Sequence, residues 1–156
     1  MEEIITRKAT INDLETLRRF EQGVISAERP FDPTLKNDPF NYYDLEFMID
    51  APHIELIVAE VNGELIGSGY ARIETAEHYL QHEQFAYIGF MYVEPQHRGK
   101  GINKIILEAL EKWALSQNIT ELRLEVYFNN TLAIAAYEKA GFAKHMIEMR
   151  LGLQEK

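Results

Sequence analysis

Val93-Glu94-Pro95-Gln96-His97-Arg98-Gly99-Lys100-Gly101-Ile102-Asn103 is the stretch that decides how this chain folds. An apolar, strand-like run from Phe85 to Val93 leads into it, and an amphipathic, helix-like run from Asn103 to Trp113 follows. A strand, a basic turn with glycines and a helix start together make a place to hold a phosphate. The first N–H groups of a helix lack partners within it and lie at the positive end of its dipole, so an anion docks there. Glycine at 99 and 101 lets the backbone approach a ligand closely and adopt conformations other residues avoid. Arg98, Lys100 and Lys104 stand between 96 and 104 with no acid among them, in a chain of net charge −9. A basic island in an acidic chain points to a bound polyanion.

Downstream, Ile102, Ile105, Ile106, Ala109, Leu110 and Trp113 recur at helical spacing, with Asn118 as a stop. Glu121 to Tyr127 alternates as a strand, placing Leu122, Leu124 and Val126 on one face and Arg123, Glu125 and Tyr127 on the other. Asn130 to Ala140 reads as a helix closed by Gly141, and Phe142 to Leu151 as a last strand. Upstream, Ile4 to Ala9 reads as a strand. Thr10 and Asp13 open a helix carrying Leu14, Leu17, Phe20 and Val24 or Ile25. Arg29 to Asn41 is a long loop rich in Pro, Asp and Asn, and Tyr42 to Ile49 a second helix. His53 to Val61 and Glu64 to Glu74 flank Asn62-Gly63, a strong hairpin turn. Thr75 to Gln84 is a polar loop or helical turn. A tight hairpin is antiparallel and a strand–helix–strand passage is parallel, so the sheet is mixed.

The chain has 156 residues, enough for one domain with a real core. It has no Cys, which excludes both a disulfide framework and a cysteine nucleophile. The acidic charge argues against a nucleic-acid partner and suits a cationic substrate, or simply solubility. No apolar run approaches a membrane span, and the start of the chain lacks a signal-peptide pattern. A cytoplasmic location is expected. Neither a G-x-x-x-x-G-K-[ST] nor a G-x-G-x-x-G motif is present, which weakens any nucleotide-binding reading.

Two motifs, in order and properly separated, resemble the GNAT superfamily of acyl-CoA-dependent N-acetyltransferases. The first is Val93-Glu94-Pro95 with Arg98-Gly99-Lys100-Gly101-Ile102-Asn103, similar to the family's pyrophosphate loop. The second runs from Glu125-Val126 through Asn130 and Ala133 to Tyr137-Glu138-Lys139-Ala140-Gly141-Phe142. Asn103 stands where the family has Gly or Ala, though its backbone N–H can still donate. The likeness is strongest over residues 85–150. It implies one domain over 1–156, of α/β (α+β) class, with a mixed, mostly antiparallel sheet flanked by helices and splayed fourth and fifth strands.

The resemblance further implies acetyl-CoA as co-substrate. The amides of Arg98, Gly99, Lys100, Gly101, Ile102 and Asn103 would hold the pyrophosphate. Backbone groups of Met91, Tyr92 and Val93 would pair with the pantetheine arm like an added strand. Asn130, Ala133 and Tyr137 would serve the cofactor too, Asn130 and Tyr137 at its thioester end. Glu125 sits in a Leu-Glu-Val strand like that of the ribosomal-protein alanine N-acetyltransferases, a branch of the superfamily with a Glu in the matching place. It is the expected base, acting through water, with Tyr137 the expected acid for the leaving thiolate.

These roles answer a chemical need. An alkyl ammonium of pKa ~10.4 costs about 4–5 kcal/mol to deprotonate at pH 7, an α-amino group only about 1 kcal/mol. Acetyl transfer therefore needs a base near the amine, a donor at the thioester oxygen and an acid near the sulfur. Direct transfer in a ternary complex is expected, since no Cys can carry the acetyl group. Simpler readings stand beside these. Asn130 can be a helix cap, Tyr137 a core tyrosine, and Glu125 an exposed residue or a partner of Arg123. His78 and His82, four apart, suggest a metal pair, but a solvated loop accounts for them and no metal is expected. Tyr79, Glu83, Phe31, Phe40, Tyr42 and Tyr43 are expected to wall an acceptor pocket. The acceptor is a small amine or a peptide N-terminus, with room left for a homodimer. The competing function is a catalytically silent acyl-CoA sensor.

Overall fold

The computed structural model describes residues 3–154. The chain divides into two compact units, Met1–Glu125 and Val126–Lys156. The first unit holds strand β1 (Ile4–Lys8), helices α1 (Leu14–Glu28) and α2 (Leu45–Asp50), strands β2 (Ile54–Val61), β3 (Glu64–Thr75) and β4 (Gln84–Val93), helix α3 (Ile102–Ser116) and strand β5 (Leu122–Arg123). The sheet order is β1-β2-β3-β4-β5, antiparallel except for the parallel β4–β5 pair. This is the mixed, mostly antiparallel sheet the sequence predicts. Among the described residues, no helix is long and apolar enough to cross a membrane.

Local chemistry sets the boundaries. Asn62 and Gly63 both take positive φ (50° and 80°), which matches the hairpin twist between β2 and β3. Asp13 caps the start of the first helical segment by accepting from the Thr10 N–H at 2.8 Å. Arg7 reinforces it with a two-pronged contact to Asp13, at 2.8 and 2.9 Å. Asp44 caps α2, accepting from the Phe47 N–H, so that helix starts three residues later than the apolar pattern suggests. Asn118, at φ 64°, closes the α3 segment.

Successive β3 side chains point to opposite faces. Gly69 faces Ile106 and Leu110 of α3, whereas Tyr70 faces Tyr43. Tyr70 belongs to the buried cluster of Leu17 and Phe20 from α1, Leu45 and Met48 from α2, Leu56 and Val58 from β2, and Phe90 from β4. So α1 and α2 cover one face of the sheet and α3 the other. Burying a side chain such as Phe20 stabilises the fold by about 1.5–3 kcal/mol.

Two sequence expectations need correction. The predicted strand from Glu121 to Tyr127 is bonded into the sheet only at Leu122–Arg123. β4 bulges just beyond that pairing, and a bulge re-aims the strand and ends its ladder. The predicted strand from Phe142 to Leu151 carries no strand pairing. Within Val126–Lys156 the helix α4 (Thr131–Lys139) is the sole regular element among the described residues, so that unit offers no strand to pair with.

Candidate active site

The turn after β4 is open and its donors are available. Gly99 and Gly101 take φ of 78° and 79°, a region that favours glycine. A Cβ at either position would meet no atom within 4 Å, so the backbone there faces open space. Gly101 is the N-cap of α3, and no side chain caps that helix end. The first intrahelical bond runs from the Ile105 N–H to the Gly101 carbonyl. The amides of Ile102, Asn103 and Lys104 thus precede the ladder and suit an anion. Arg98 and Lys100 are exposed beside them, and the Arg98 guanidinium donates to the Val93 carbonyl at 3.0 Å.

The strand feeding this turn also offers a free edge. β5 pairs with β4 only through Ala86↔Leu122 and Tyr87↔Arg123. Within the first unit, the outer edge of β4 from Ile88 to Val93 has no paired strand, so Met91, Tyr92 and Val93 lie along an edge that an extended ligand arm can join. The bulge sits here. Ser68 pairs with Tyr92 but Tyr70 with Gly89, leaving Phe90 and Met91 opposite Gly69 alone. Phe90 is buried at φ 55°, unusual for a bulky residue, and the buried Ser68 hydroxyl donates to its carbonyl at 3.0 Å.

Helix α1 braces both the turn and the long loop. Arg19 Nη1 donates to both carboxylate oxygens of Glu94, and the Tyr92 hydroxyl donates to one of them, all at 3.1 Å. Burial and the neighbouring carboxylate push the Tyr92 hydroxyl up from its ordinary value, so it stays a donor. Gly23 lets α1 seat on the Tyr92 ring; a Cβ at 23 would lie 2.5 Å from it. Two residues before, the buried carboxylate of Glu21 accepts from the backbone N–H groups of Tyr42 and Tyr43, each at 2.7 Å. This pins the end of the loop against the sheet.

An aromatic shelf follows from that pinning. The Tyr43 ring packs on Phe90 (5.0 Å between centroids) and on Tyr70 (5.8 Å), and Tyr70 neighbours Tyr87 (6.4 Å). Phe40 packs edge-on against Tyr42, and Tyr42 edge-on against Tyr43. The Arg72 guanidinium lies over the Tyr70 and Tyr87 rings and pairs with Glu74 at 2.6 Å. Glu125 is exposed at the end of this row, and the Tyr87 hydroxyl donates to its Oε1 at 3.0 Å. Burial, above all, pushes the Tyr43 and Tyr87 hydroxyls well above the ordinary tyrosine value. Arg123 does not pair with Glu125. It stacks on Phe85, pairs with Glu121 at 3.1 Å and lies 2.8 Å from His82. Tyr79 is exposed and packs on His78.

In the second unit, Asn130 caps α4 by accepting from the Ala133 N–H at 3.2 Å. The C-terminal end carries paired bonds from Gly141 to Glu138 and from Phe142 to Tyr137, with the Tyr137 and Phe142 rings 5.8 Å apart. Asn130, Ala133 and Tyr137 are therefore held on one well-capped helix.

A model of the acetyltransferase (GNAT) family matches residues 21–142 of this chain. The chain belongs to that family. Among solved structures, a tetramutant of the BH1408 protein from Bacillus halodurans is similar at 20% identity and a TM-score of 0.83, over 96% of this chain and 99% of that one. A predicted acetyltransferase with acetyl-CoA from Clostridium acetobutylicum is similar at 22% identity and a TM-score of 0.75, over 97% of each chain. Glucosamine-6-phosphate N-acetyltransferase from Arabidopsis thaliana is similar at 19% identity and a TM-score of 0.69, over 98% of this chain and all of that one.

For a GNAT chain, the turn and the open β4 edge were legible from the motif, whereas the side chains that brace them were not. Arg19 and Glu94 are seventy-five residues apart, and Glu21 reads in sequence as one more helix acid. Ser68, Tyr70, Arg72 and Tyr87 sit in strands whose pattern shows only alternation. One signal could have found Tyr87: it falls on the half-buried face of a strand whose parallel neighbour leads to Glu125.

Proposed function

We propose that this GNAT chain is an N-acetyltransferase that uses acetyl-CoA and acts as one domain across 1–156. The carrying observation is the β4 edge, unpaired within the first unit beyond Tyr87, running into a turn whose glycines face open space and whose helix-start amides precede the ladder. An extended arm with a diphosphate at one end fits that shape. The backbone of Met91, Tyr92 and Val93 would hold the arm, and the amides from Arg98 to Asn103 the diphosphate. The co-substrate supplies an acetyl group activated as a thioester.

Glu125 would accept the proton of the acceptor amine, directly or through water, and Tyr137 would donate one to the leaving sulfur. A small amine or a peptide N-terminus is the acceptor class. The amine acceptor named for the similar Arabidopsis enzyme agrees with a small amine, and the Leu124-Glu125-Val126 sequence agrees with a peptide N-terminus. Tyr43, Tyr70 and Tyr87 would supply apolar and cation-binding faces to either.

Calorimetry with coenzyme A, followed by an amine and peptide screen read by free thiol, tests the proposal. The expected result is binding, with thiol release for at least one amine class. Tyr137→Phe should cut turnover and leave coenzyme A affinity unchanged. Binding without thiol release across the screen would favour a silent acyl-CoA sensor, and no binding would end both readings.

A further inference from the structure

We infer that Tyr87 is a positioning residue for Glu125, fixing one oxygen of that carboxylate. The inference rests on the proposed role of Glu125 as base. The contact joins two strands, from the Tyr87 hydroxyl on β4 to Glu125 Oε1 just beyond β5, at 3.0 Å. An exposed glutamate on an edge segment ordinarily samples many rotamers, and a base must hold one. The donor here is itself immobile. Its ring is half-buried between Tyr70 and the Arg72 guanidinium, and Arg72 is anchored on Glu74.

The direction of the hydrogen bond is settled by chemistry. Burial and the facing carboxylate both oppose ionisation of the Tyr87 hydroxyl, so it donates and Glu125 accepts. Glu125 also faces the Tyr70 hydroxyl on β3, to which Arg72 donates and beside which Arg72 pairs with Glu74. Arg123 on β5 is engaged with Glu121 and His82. Tyr87 is thus the group that makes direct contact with the Glu125 carboxylate within this unit, and removing its hydroxyl while keeping its ring isolates the effect.

The test compares wild type, Tyr87→Phe and Glu125→Gln. Carbon-13 NMR of the Glu125 side chain in the free protein should show one rotamer in wild type and rotamer averaging in Tyr87→Phe. With the best amine from the screen, kcat should fall about tenfold in Tyr87→Phe, while KM for acetyl-CoA stays within about twofold. If Glu125→Gln abolishes turnover but Tyr87→Phe leaves the Glu125 rotamer and kcat in place, the inference is overturned and the base assignment stands. If Glu125→Gln retains turnover, the base assignment falls and the positioning role falls with it. Should Tyr87→Phe fail to fold, the reciprocal measurement decides. In Glu125→Gln, the ring-labelled Tyr87 hydroxyl should ionise at lower pH, and an unchanged value overturns the inference.

Discussion

Arg19 grips Glu94 with one nitrogen placed 3.1 Å from each carboxylate oxygen, although Glu94 is buried and Arg19 is largely exposed. Glu94 immediately precedes the turn from Pro95 to Gly101, and Arg19 lies two residues from the Glu21 that holds Tyr42 and Tyr43. One helix therefore braces the turn after β4 and the loop before α2 together.

Arg19→Met should loosen that brace. A buried carboxylate left without its charged partner costs about 1–3 kcal/mol. Thermal unfolding should fall by several degrees, and coenzyme A affinity by calorimetry should weaken several-fold. Unchanged affinity would mean the turn does not depend on α1.

Glu21→Gln should act on the other loop. The amide retains one acceptor but loses the charge that draws in two backbone N–H groups. The KM for the amine should rise more than the KM for acetyl-CoA. Steady-state kinetics with each substrate varied in turn separates the two.

Gly101→Ala tests the turn directly. No atom crowds the site, so the whole effect comes from a Cβ at φ 79°. The strain is about 1 kcal/mol. A small loss in melting temperature with coenzyme A binding weaker by up to about fivefold is expected. Equal affinity to wild type would count against this turn as the diphosphate site.

Asp13 sets an acid limit on stability. The Arg7 hydrogen bond holds its carboxyl below the ordinary aspartate value, the Thr10 amide adding to that. A depressed carboxyl contributes stability that is fully present above about pH 4 and is lost as pH falls through its folded value. Chemical denaturation should show this loss below pH 4 in wild type. Asp13→Asn should lower stability at pH 7 by about 1–3 kcal/mol and flatten the acid dependence.

The legible parts of this protein are those in which one residue type at one position does the work. Gly99, Gly101, the Asn62-Gly63 turn, the Asn130 cap and the apolar stripe of α3 each carry a local rule that sequence alone exposes. The less legible parts depend on distant partners. Whether Glu125 meets Arg123 or Tyr87 turns on the β4–β5 register, and local alternation offers Arg123 only as one possible partner on the same face. The bulge at Phe90 left no sequence sign, because nothing in Gly89-Phe90-Met91 announces that two residues will oppose one.

Gly23 carries a practical warning for anyone seeking a hardier version of this enzyme. Swapping a mid-helix glycine for alanine is a routine stabilising change, worth about 0.5–1 kcal/mol where space allows. Here the added methyl would lie 2.5 Å from the Tyr92 ring, so a clash that must move that ring replaces the usual gain. The weak point in the helix is the clearance that seats α1 on β4, so a glycine-to-alanine scan ranked by helix propensity alone would choose wrongly at this position.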